Sequence, residues 1–417
     1  MLLEFKCSNH RSVREEVLFS LLASSDTTNE GEVIRTADGI RVLKSAVIYG
    51  ANGSGKSNLV DAFSFVKNLV SLSIRNQPGE EIPQSPHKKD GYDRESSYCI
   101  QFITKGVRYA YGFTLRSMLV CDEYLYYFPS GRQTRIFERE GETFSPGSRF
   151  RGRFSACRNV LKPNRLFLSC AANFSTVEEI VDAYNFFSGE LVVYSPENQE
   201  SWMKYSLYQM NSDAATKASV LKFLSELDTG IKDIRVEIDR TKLSSSDISP
   251  FLSDDFKVEL LRRDFDAVSA KVVYDEFETD LMTEESGGIR KLFGLLCPLI
   301  DIMVNGKVLV CDELESGLHE SLLYGLVKLF SETESGKPAQ MIFTTHETGL
   351  LSLDLFRRDQ IWFTELRKSD RSTNLYSLAE IKNVRKEDNF RRGYMQGRYG
   401  AVPKPALDFS SIINEGR

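Results

Sequence analysis

The spacing of apolar positions changes along the chain, and each change predicts a helix or a strand. Two short strand-like runs, 2–5 and 45–50, open the sequence, and a helix pattern follows the second run. The helix is predicted from apolar residues at steps of three and four, namely Leu59, Ala62, Phe63, Val66 and Val70. A strand, a glycine-rich loop and a helix therefore follow one another directly.

Three aromatic and β-branched runs come next, and they predict an antiparallel meander. They cover 98–103, 107–115 and 119–128 and are separated by short turn signals. The stretch 79–97 before them is polar and rich in proline and glycine, which predicts a loop.

The middle of the chain predicts a mixture of helices and strands. Helical spacing returns at 177–187, and a second helix is predicted to start after residue 213 and to end near residue 230. The runs 234–239 and 270–277 alternate like strands, with a polar loop at 244–255 between them. This part interrupts the pattern of the two ends.

Strands and helices alternate regularly in the last third of the chain. Helices are predicted at 289–303 and 320–331, and strands at 307–313, 340–346 and 359–366. Such alternation is typical of a parallel sheet covered by helices. Since the first strand–helix unit lies near the start, we predict an α/β layer assembled from both ends of the chain around a long α+β insertion.

Composition narrows the class of protein without identifying it. The chain has 417 residues and a net charge of −6, so no global positive field attracts it to nucleic acid or to an anionic membrane. Its seven cysteines form no C-x-x-C pair, which indicates reduced thiols rather than a disulfide or zinc framework. Because no signal peptide or membrane span is predicted, we expect a cytoplasmic protein.

The sequence GANGSGKS at 50–57 matches the phosphate-binding pattern G-x-x-x-x-G-K-[ST]. A glycine turn before a helix is the plain alternative, but the apolar strand before it and the amphipathic helix after it favour a P-loop. Lys56 would reach the β- and γ-phosphates, and Ser57 would hold Mg²⁺. The predicted nucleotide-binding residues here are Asn52, Gly53, Ser54, Gly55, Lys56, Ser57 and Asn58.

An acidic pair follows a predicted buried strand in KVLVCDELESGLH, 307–319. Alone, such a pair is more often a solvated turn, but ligands bind at the carboxyl edge of an α/β sheet. Together with a P-loop, Asp312 is predicted to belong to the Mg²⁺ shell. Glu313 is predicted to orient or deprotonate the attacking water.

A histidine ends another apolar strand, in MIFTTHE at 341–347. A histidine that only caps the strand end is the ordinary interpretation. After a P-loop and an acidic strand end, we instead expect His346 to be a neutral imidazole near the γ-phosphate. Glu313, His346 and Lys56 are thus the predicted catalytic residues.

The order GANGSGKS, ESGGIRK, VLVCDELESGLH and TTH resembles the ATP-binding-cassette (ABC) type of ATPase head in SMC-like, RecF-like and OLD-like proteins. The opening FKCSNHRSV resembles the N-terminal strand of that group. ESGGIRKLFGLL, DELESGLH, AQMIFTTHETGLL, RDQIWF and GYMQGRYGAVP further resemble the AAA15-type ATPases of phage-defence and abortive-infection loci, the RloA and PARIS AriA kind. The likeness covers the two ends of the chain, about half its length.

The resemblance implies roles for further residues. Ser286, Gly287 and Gly288 match the signature motif, and 316–319 match the D-loop. Asn173, in LFLSCAANFS, occupies the place of a family glutamine that contacts Mg²⁺ and the attacking water. The acidic stretch 275–284 before the signature is interpreted as a solvated linker.

The resemblance also implies a division of the chain. We expect the N-terminal half of the head at 1–170, an insertion at 171–282, the C-terminal half at 283–379 and a tail at 380–417. In such heads the signature serine caps the γ-phosphate bound to a partner, so a homodimer through composite ATP sites, or a larger ring, is implied.

Three functions remain open at this point. The first is an ATP-driven sensor and scaffold that holds a neighbour-encoded TOPRIM-type nuclease and releases it on infection, with a phage protein as a trigger. The second is an SMC/RecF-like DNA-repair ATPase whose basic segment, 131–165, lies on DNA, and the third is a stand-alone nuclease. That segment is more often a solvated face, and the tail 383–403 suits an effector interface better than base stacking.

Overall fold

The structure, a computed structural model, forms two compact units. It describes residues 1–242, 264–332, 337–352, 354–385 and 388–402, apart from the side chains of 239–242 and 264–267. Unit 1 comprises Met1–Ser195, Met303–Glu315 and Leu323–Arg417, and unit 2 comprises Pro196–Ile302 and Ser316–Leu322. The predicted polar loop at 244–255 and the tail from 403 onward lie outside the described residues.

An antiparallel sheet and a mixed sheet form the frame of unit 1. The antiparallel sheet has the order β10-β9-β8-β7-β6-β1-β2. Its strands are β1 Leu2–Ser8, β2 Val17–Ser20, β6 Ser96–Thr104, β7 Val107–Arg116, β8 Leu119–Tyr127, β9 Thr134–Glu140 and β10 Thr143–Pro146. A short hairpin of β3 Val33–Arg35 and β4 Arg41–Leu43 accompanies it.

The mixed sheet has the order β11-β15-β16-β5-β17-β18. Its strands are β5 Ser45–Gly50, β11 Leu191–Tyr194, β15 Val308–Cys311, β16 Gln340–Thr344, β17 Ile361–Leu366 and β18 Thr373–Ser377. All neighbours pair in parallel except β17 and β18. Strand β5 is buried along its whole length, as a strand inside a parallel sheet must be.

Helices cover these sheets and build much of unit 2. They are α1 Lys56–Leu72, α2 Ser155–Val160, α3 Phe167–Phe174, α4 Glu178–Asn185, α5 Gln199–Ser212, α6 Ala214–Glu226, α7 Gly287–Asn305, α8 Glu320–Glu332 and α9 Phe390–Met395. The apolar stripe that predicted α1 is buried along that helix. Unit 2 also contains the antiparallel sheet β12 Asp233–Lys242, β13 Asp264–Val273 and β14 Glu278–Asp280.

Aromatic side chains hold the core of unit 1 together. Phe5 of β1 stacks on Phe63 of α1 at 3.9 Å between ring centroids, and Phe102 of β6 stacks on Phe186 at 4.1 Å. Such pairs stabilise by about 0.5–1.5 kcal/mol beyond the area they bury. The antiparallel sheet is thereby fastened to the P-loop helix and to the turn after α4.

Most predicted elements are confirmed, including the meander, the P-loop strand and the parallel strands at both ends of the chain. The mixed α/β fold with an antiparallel meander and a parallel P-loop layer confirms the predicted fold class. Strands β9, β10 and β11 and helix α5 were not predicted. The boundaries of the compact units lie after residues 195, 302, 315 and 322, whereas the predicted domain boundaries follow the motifs and stay predictions.

Two further sequence expectations concern cysteines and membranes. All seven cysteines are free thiols, and five of them are buried, which agrees with the predicted reduced state. Within the described residues, no helix combines the length and the apolar character needed to cross a membrane.

Candidate functional site

The predicted P-loop lies between the end of β5 and the start of α1. Gly55 has φ +106° and precedes Lys56, the first residue of the helix. A Cβ at Gly55 would lie 2.0 Å from Thr373 Oγ1, so only glycine fits here. The loop therefore presents backbone N–H groups at a helix N-terminus, which is a ready anion site.

Three hydroxyl residues from distant parts of the chain hold this loop, and we call Ser12, Thr364 and Thr373 the hydroxyl clamp. Ser54 Oγ lies 2.6 Å from Thr364 Oγ1, and Thr373 Oγ1 donates to the carbonyl of Ser54 at 2.9 Å. Ser12 Oγ lies 2.7 Å from Thr373 Oγ1 and accepts from Asn58 Nδ2 at 2.6 Å. The clamp fixes the P-loop backbone before any ligand binds.

Lys56 is buried, and its ammonium group donates to the loop's own backbone. Its Nζ donates to the carbonyls of Gly50 at 2.8 Å and Ala51 at 3.3 Å. Burial lowers the pKa of Lys56, and the carboxylates of Asp312, Glu315 and Glu313 oppose that shift. The lysine therefore lies within the field of the acidic strand end, as the P-loop prediction requires.

Thr344, at the end of β16, organises the acidic pair that follows β15. Its hydroxyl donates to Asp312 Oδ1 at 2.6 Å and accepts from the backbone N–H of Glu313 at 2.8 Å. Asp312 is buried, and Glu313 adopts φ +49°, a left-handed conformation that costs free energy for a residue with a side chain. The strained turn is thus held by hydrogen bonds from the neighbouring strand.

His346 lies beyond the same strand end. Its backbone N–H donates to Glu315 Oε1 at 2.6 Å. Partial burial and the nearby Lys56 cation lower the pKa of its imidazole, while the carboxylates of Glu315, Glu313 and Asp312 act in the opposite direction. The net direction favours the neutral imidazole, and the place of His346 near the γ-phosphate stays a prediction.

The signature residues occupy the start of α7 in unit 2. Ser286 Oγ accepts from the N–H of Ile289 at 3.2 Å, so this serine caps the helix. A Cβ at Gly288 would lie 2.3 Å from the carbonyl oxygen of Gly317, which belongs to the predicted D-loop segment. The structure thus brings the predicted signature and the predicted D-loop segment of one chain into direct backbone contact.

The acidic stretch before the predicted signature contains strand β14 and the hydrogen-bonded turn that follows it, so its interpretation as a plain solvated linker is wrong. Asp280 Oδ1 accepts from the N–H groups of Met282 and Thr283 at 2.9 and 2.8 Å. Glu285 Oε1 accepts from Tyr274 Oη at 2.8 Å and also from the Thr279 hydroxyl. The carboxylates fold the segment back and lead directly into Ser286.

Asn173 lies near the end of α3, where its hydrogen bond is local. Its Nδ2 donates to the carbonyl of Ser169 at 2.8 Å. Among the described residues, no hydrogen bond joins Asn173 to the P-loop or to Asp312. Its role as a Mg²⁺ ligand stays a prediction.

The donor set fits a magnesium nucleotide. The Ser57 hydroxyl is exposed in the first turn of α1, and Asp312 supplies a carboxylate whose Oδ1 is already oriented by Thr344. Hydroxyl, carboxylate and phosphate oxygens are the ligands Mg²⁺ prefers, and it commonly takes only one or two from the protein. At Gly53, a Cβ would meet nothing within 4 Å, so the loop is open where phosphate would approach.

Several residues of the site were missed in the sequence. Thr344 is the first threonine of TTH, and Glu315 lies inside DELESGLH. Both residues therefore belong to predicted motifs, but neither was given a role. A hydroxyl at the end of a strand next to an acidic strand end was the available signal for Thr344. The hydroxyl clamp gave no local signal, because Thr364 and Thr373 lie more than 300 residues after Ser54 and Ser12 lies 46 residues before Asn58.

Comparisons with known proteins add a family and a set of distant structures. A family model described as "AAA domain, putative AbiEii toxin, Type IV TA system" matches residues 45–352. A search of curated proteins found no significant match.

Three similar solved structures are SMC heads. One is bound to the C-winged helix domain of ScpA (14% identity, TM-score 0.45), covering 90% of this chain and 97% of that one. The head from Thermotoga maritima has 14% identity and a TM-score of 0.41, covering 90% and 98%. A head with an extended coiled coil, bound to the C-terminal domain of ScpA derived from Pyrococcus furiosus, has 13% identity and a TM-score of 0.42, covering 90% and 96%.

Proposed function

Because the chain belongs to the family of AAA domains described as a putative AbiEii toxin of a type IV toxin–antitoxin system, we propose that it is an ATPase of the ABC type. It binds ATP with Mg²⁺ and hydrolyses it. The observation that carries this proposal is the convergence in unit 1 of Lys56, Asp312, Glu313 and His346 around one P-loop.

Each of these residues has a distinct part in the proposed reaction. Lys56 exchanges its two backbone carbonyls for the β- and γ-phosphate oxygens. Ser57 and Asp312 would hold Mg²⁺, which neutralises charge on the phosphates when it is bound. Glu313 orients the attacking water and accepts its proton, and neutral His346 hydrogen-bonds near the γ-phosphate.

A cavity beside the P-loop helix supplies room for the rest of the nucleotide. It has a volume of about 1000 Å³ and shares Ser12 and Asn58 with the hydrogen bonds of the hydroxyl clamp. Basic side chains line it, namely Arg11, Lys88, Lys89 and Arg371. Its position beside Asn58 leaves room for the ribose and base, and its basic lining would attract the charged phosphates of the nucleotide.

The proposed ATPase acts as a self-associating assembly. Ser286 already caps α7, so the start of that helix is a second candidate anion site in the same chain. We propose that Ser286, Gly287 and Gly288 of one copy meet the γ-phosphate in the P-loop of another, giving a homodimer through composite ATP sites or a larger ring. In the cell, this assembly holds a neighbour-encoded TOPRIM-type nuclease as an anti-phage sensor of the AAA15, RloA and AriA kind.

The family description supports a defence role, because a toxin–antitoxin system needs a silent and an active state that nucleotide turnover can separate. The DNA-repair alternative rests on the basic segment 131–165. Arg139 there donates to the carbonyls of Gly141 and Arg165 and lies 3.7 Å from Glu123. Arg165 itself donates to the Asn76 carbonyl, so these cations are used within the fold.

Purified protein tests the ATPase proposal directly. We expect Mg²⁺-dependent ATP hydrolysis that is lost in Lys56→Ala because of lost binding, and in Asp312→Asn because of lost turnover. Lys105→Ala is the matched control, since Lys105 is an exposed lysine of the same unit, paired with Asp182. Unchanged turnover in Lys56→Ala would exclude the P-loop as the site.

The assembly and the effector need separate measurements. Light scattering with and without ATP reports self-association, and Ser286 variants should abolish its ATP dependence. Affinity purification from the native host, with and without a hydrolysable nucleotide, asks whether a neighbour-encoded nuclease is retained and then released. Duplex DNA binding with a steep salt dependence would instead favour the repair function.

A further inference from the structure

Glu315 has no role in the ATPase described so far, although it lies between the acidic pair and the D-loop segment. One of its carboxylate oxygens, Oε1, accepts the backbone N–H of His346 at 2.6 Å. The other, Oε2, is buried and has no hydrogen-bond partner among the described residues. A carboxylate oxygen buried without a partner costs free energy, so the arrangement needs a compensating interaction.

The surroundings supply that compensation as charge. Lys56 is close enough for Glu315 to act on its pKa, and the same holds for His346. A hydrogen bond from a backbone N–H to an ionised carboxylate is about twice as strong as a neutral one. Glu315 is therefore held by the backbone N–H of His346 and acts electrostatically on the P-loop lysine.

Hydrogen bonds join the end of β16 to the acidic turn after β15 at two places. Thr344 fixes Asp312 and the N–H of Glu313, which are residues of the acidic turn. The bond from His346 to Glu315 extends this connection by two residues on each strand. Without this bond, the backbone N–H of His346 would have no hydrogen bond to the acidic turn.

We propose that Glu315 is a positioning residue. Its hydrogen bond joins the backbone of His346 to the acidic turn and so keeps the imidazole and Glu313 in a fixed relative position. The proposal rests on the proposed ATPase function. Glu315 acts through the histidine and needs no contact with the nucleotide.

Three variants separate the hydrogen bond from the charge. Glu315→Gln keeps a carbonyl acceptor for the His346 N–H, whereas Glu315→Ala removes it and Glu315→Asp shortens its reach. We expect Glu315→Ala and Glu315→Asp to lower kcat by about 10- to 100-fold, since a small misplacement of a reacting group has that effect. ATP affinity should be unchanged, and Glu315→Gln should retain most of the turnover. Glu332→Ala, an exposed glutamate of α8, is the control.

Backbone amide exchange gives a readout that does not depend on hydrolysis. The peptide covering 344–349 should exchange faster in Glu315→Ala than in the unmodified protein, and Glu315→Gln should resemble the unmodified protein. Equal amide exchange in all variants would overturn the proposed link between Glu315 and His346. Equal loss of kcat in Glu315→Gln and Glu315→Ala would also overturn it, because the charge of Glu315 alone would then explain the effect. If the unmodified protein hydrolyses no ATP, the ATPase proposal fails while the exchange difference still tests the link.

Discussion

The predicted signature and the predicted D-loop segment meet at Gly288, where an added Cβ would have no room. Adding a single methyl group at Gly288 would place it 2.3 Å from the Gly317 carbonyl oxygen, whereas real Cβ atoms stay beyond 3.0 Å. The obstacle is backbone rather than a flexible side chain, so one of the two segments must move. Overpacking of this kind costs about 1–3 kcal/mol.

Gly287 provides the matched control for Gly288→Ala. A Cβ at Gly287 would meet nothing within 4 Å, and both glycines lie in the first turn of α7. Alanine is favoured over glycine in a helix by up to about 1 kcal/mol, so this gain is common to both substitutions. Gly287→Ala should therefore be neutral or slightly stabilising, and the difference between the two variants reports the contact alone.

The assay combines chemical unfolding with steady-state kinetics. We expect Gly288→Ala to lower the midpoint of unfolding relative to Gly287→Ala, to bind ATP normally and to lose most of its turnover, because the composite site needs both segments in place. Gly287→Ala is the control for the unfolding midpoint alone, because Gly287 itself belongs to the proposed signature. An unfolding midpoint of Gly288→Ala equal to that of Gly287→Ala would refute the backbone contact, and unchanged turnover in Gly288→Ala would refute its part in the reaction.

Three further predictions test other parts of the molecule. Glu313→Gln should bind ATP and remain in the associated state, as measured by light scattering, and hydrolysis at the unmodified rate would contradict its assignment. Ser286→Arg should bind ATP but neither associate nor turn over, and full activity would contradict the signature assignment. Hydrogen bonds from Arg14 and Arg94 lower the pKa of Asp90 from 3.8 to about 2. Ionised Asp90 therefore stabilises the folded state at pH values above 3.8, and this stabilisation is lost as the pH falls toward 2. Urea unfolding between pH 5 and 3 should therefore depend less on pH in Asp90→Asn, and an unchanged slope would contradict this.

The sequence predicted those parts of the site that are local in the chain. The P-loop, the acidic pair and His346 each follow a strand whose apolar run is evident, so their positions at one sheet edge could be inferred. Strand β9 was missed because charged side chains surround its apolar residues, and the segment was interpreted as basic instead. Strand β10 has only four residues, too few to show an alternating pattern. Helix α5 was missed because it buries a narrow stripe that includes Met203, Leu207 and Met210.

The boundaries of the two units could not be predicted from the sequence, for a different reason. Motifs placed a division near residue 170, but α3 and α4 pack in the same core as the antiparallel sheet. Phe167 lies 4.7 Å from Phe137, and Phe186 stacks on Phe102. Such contacts depend on which apolar faces meet, and a stripe of apolar residues does not specify its partner.

The hydroxyl clamp explains why the P-loop must be assembled from both ends of the chain. The Ser54 hydroxyl pairs with Thr364 on β17, and its carbonyl accepts from Thr373 on β18. Strand β17 pairs in parallel with β5, so its register sets where Thr364 meets the loop. A P-loop followed by its helix alone would lack these bonds, and its glycines would sample many conformations. Strands β17 and β18 therefore preorganise the phosphate site, whereas His346 follows strand β16.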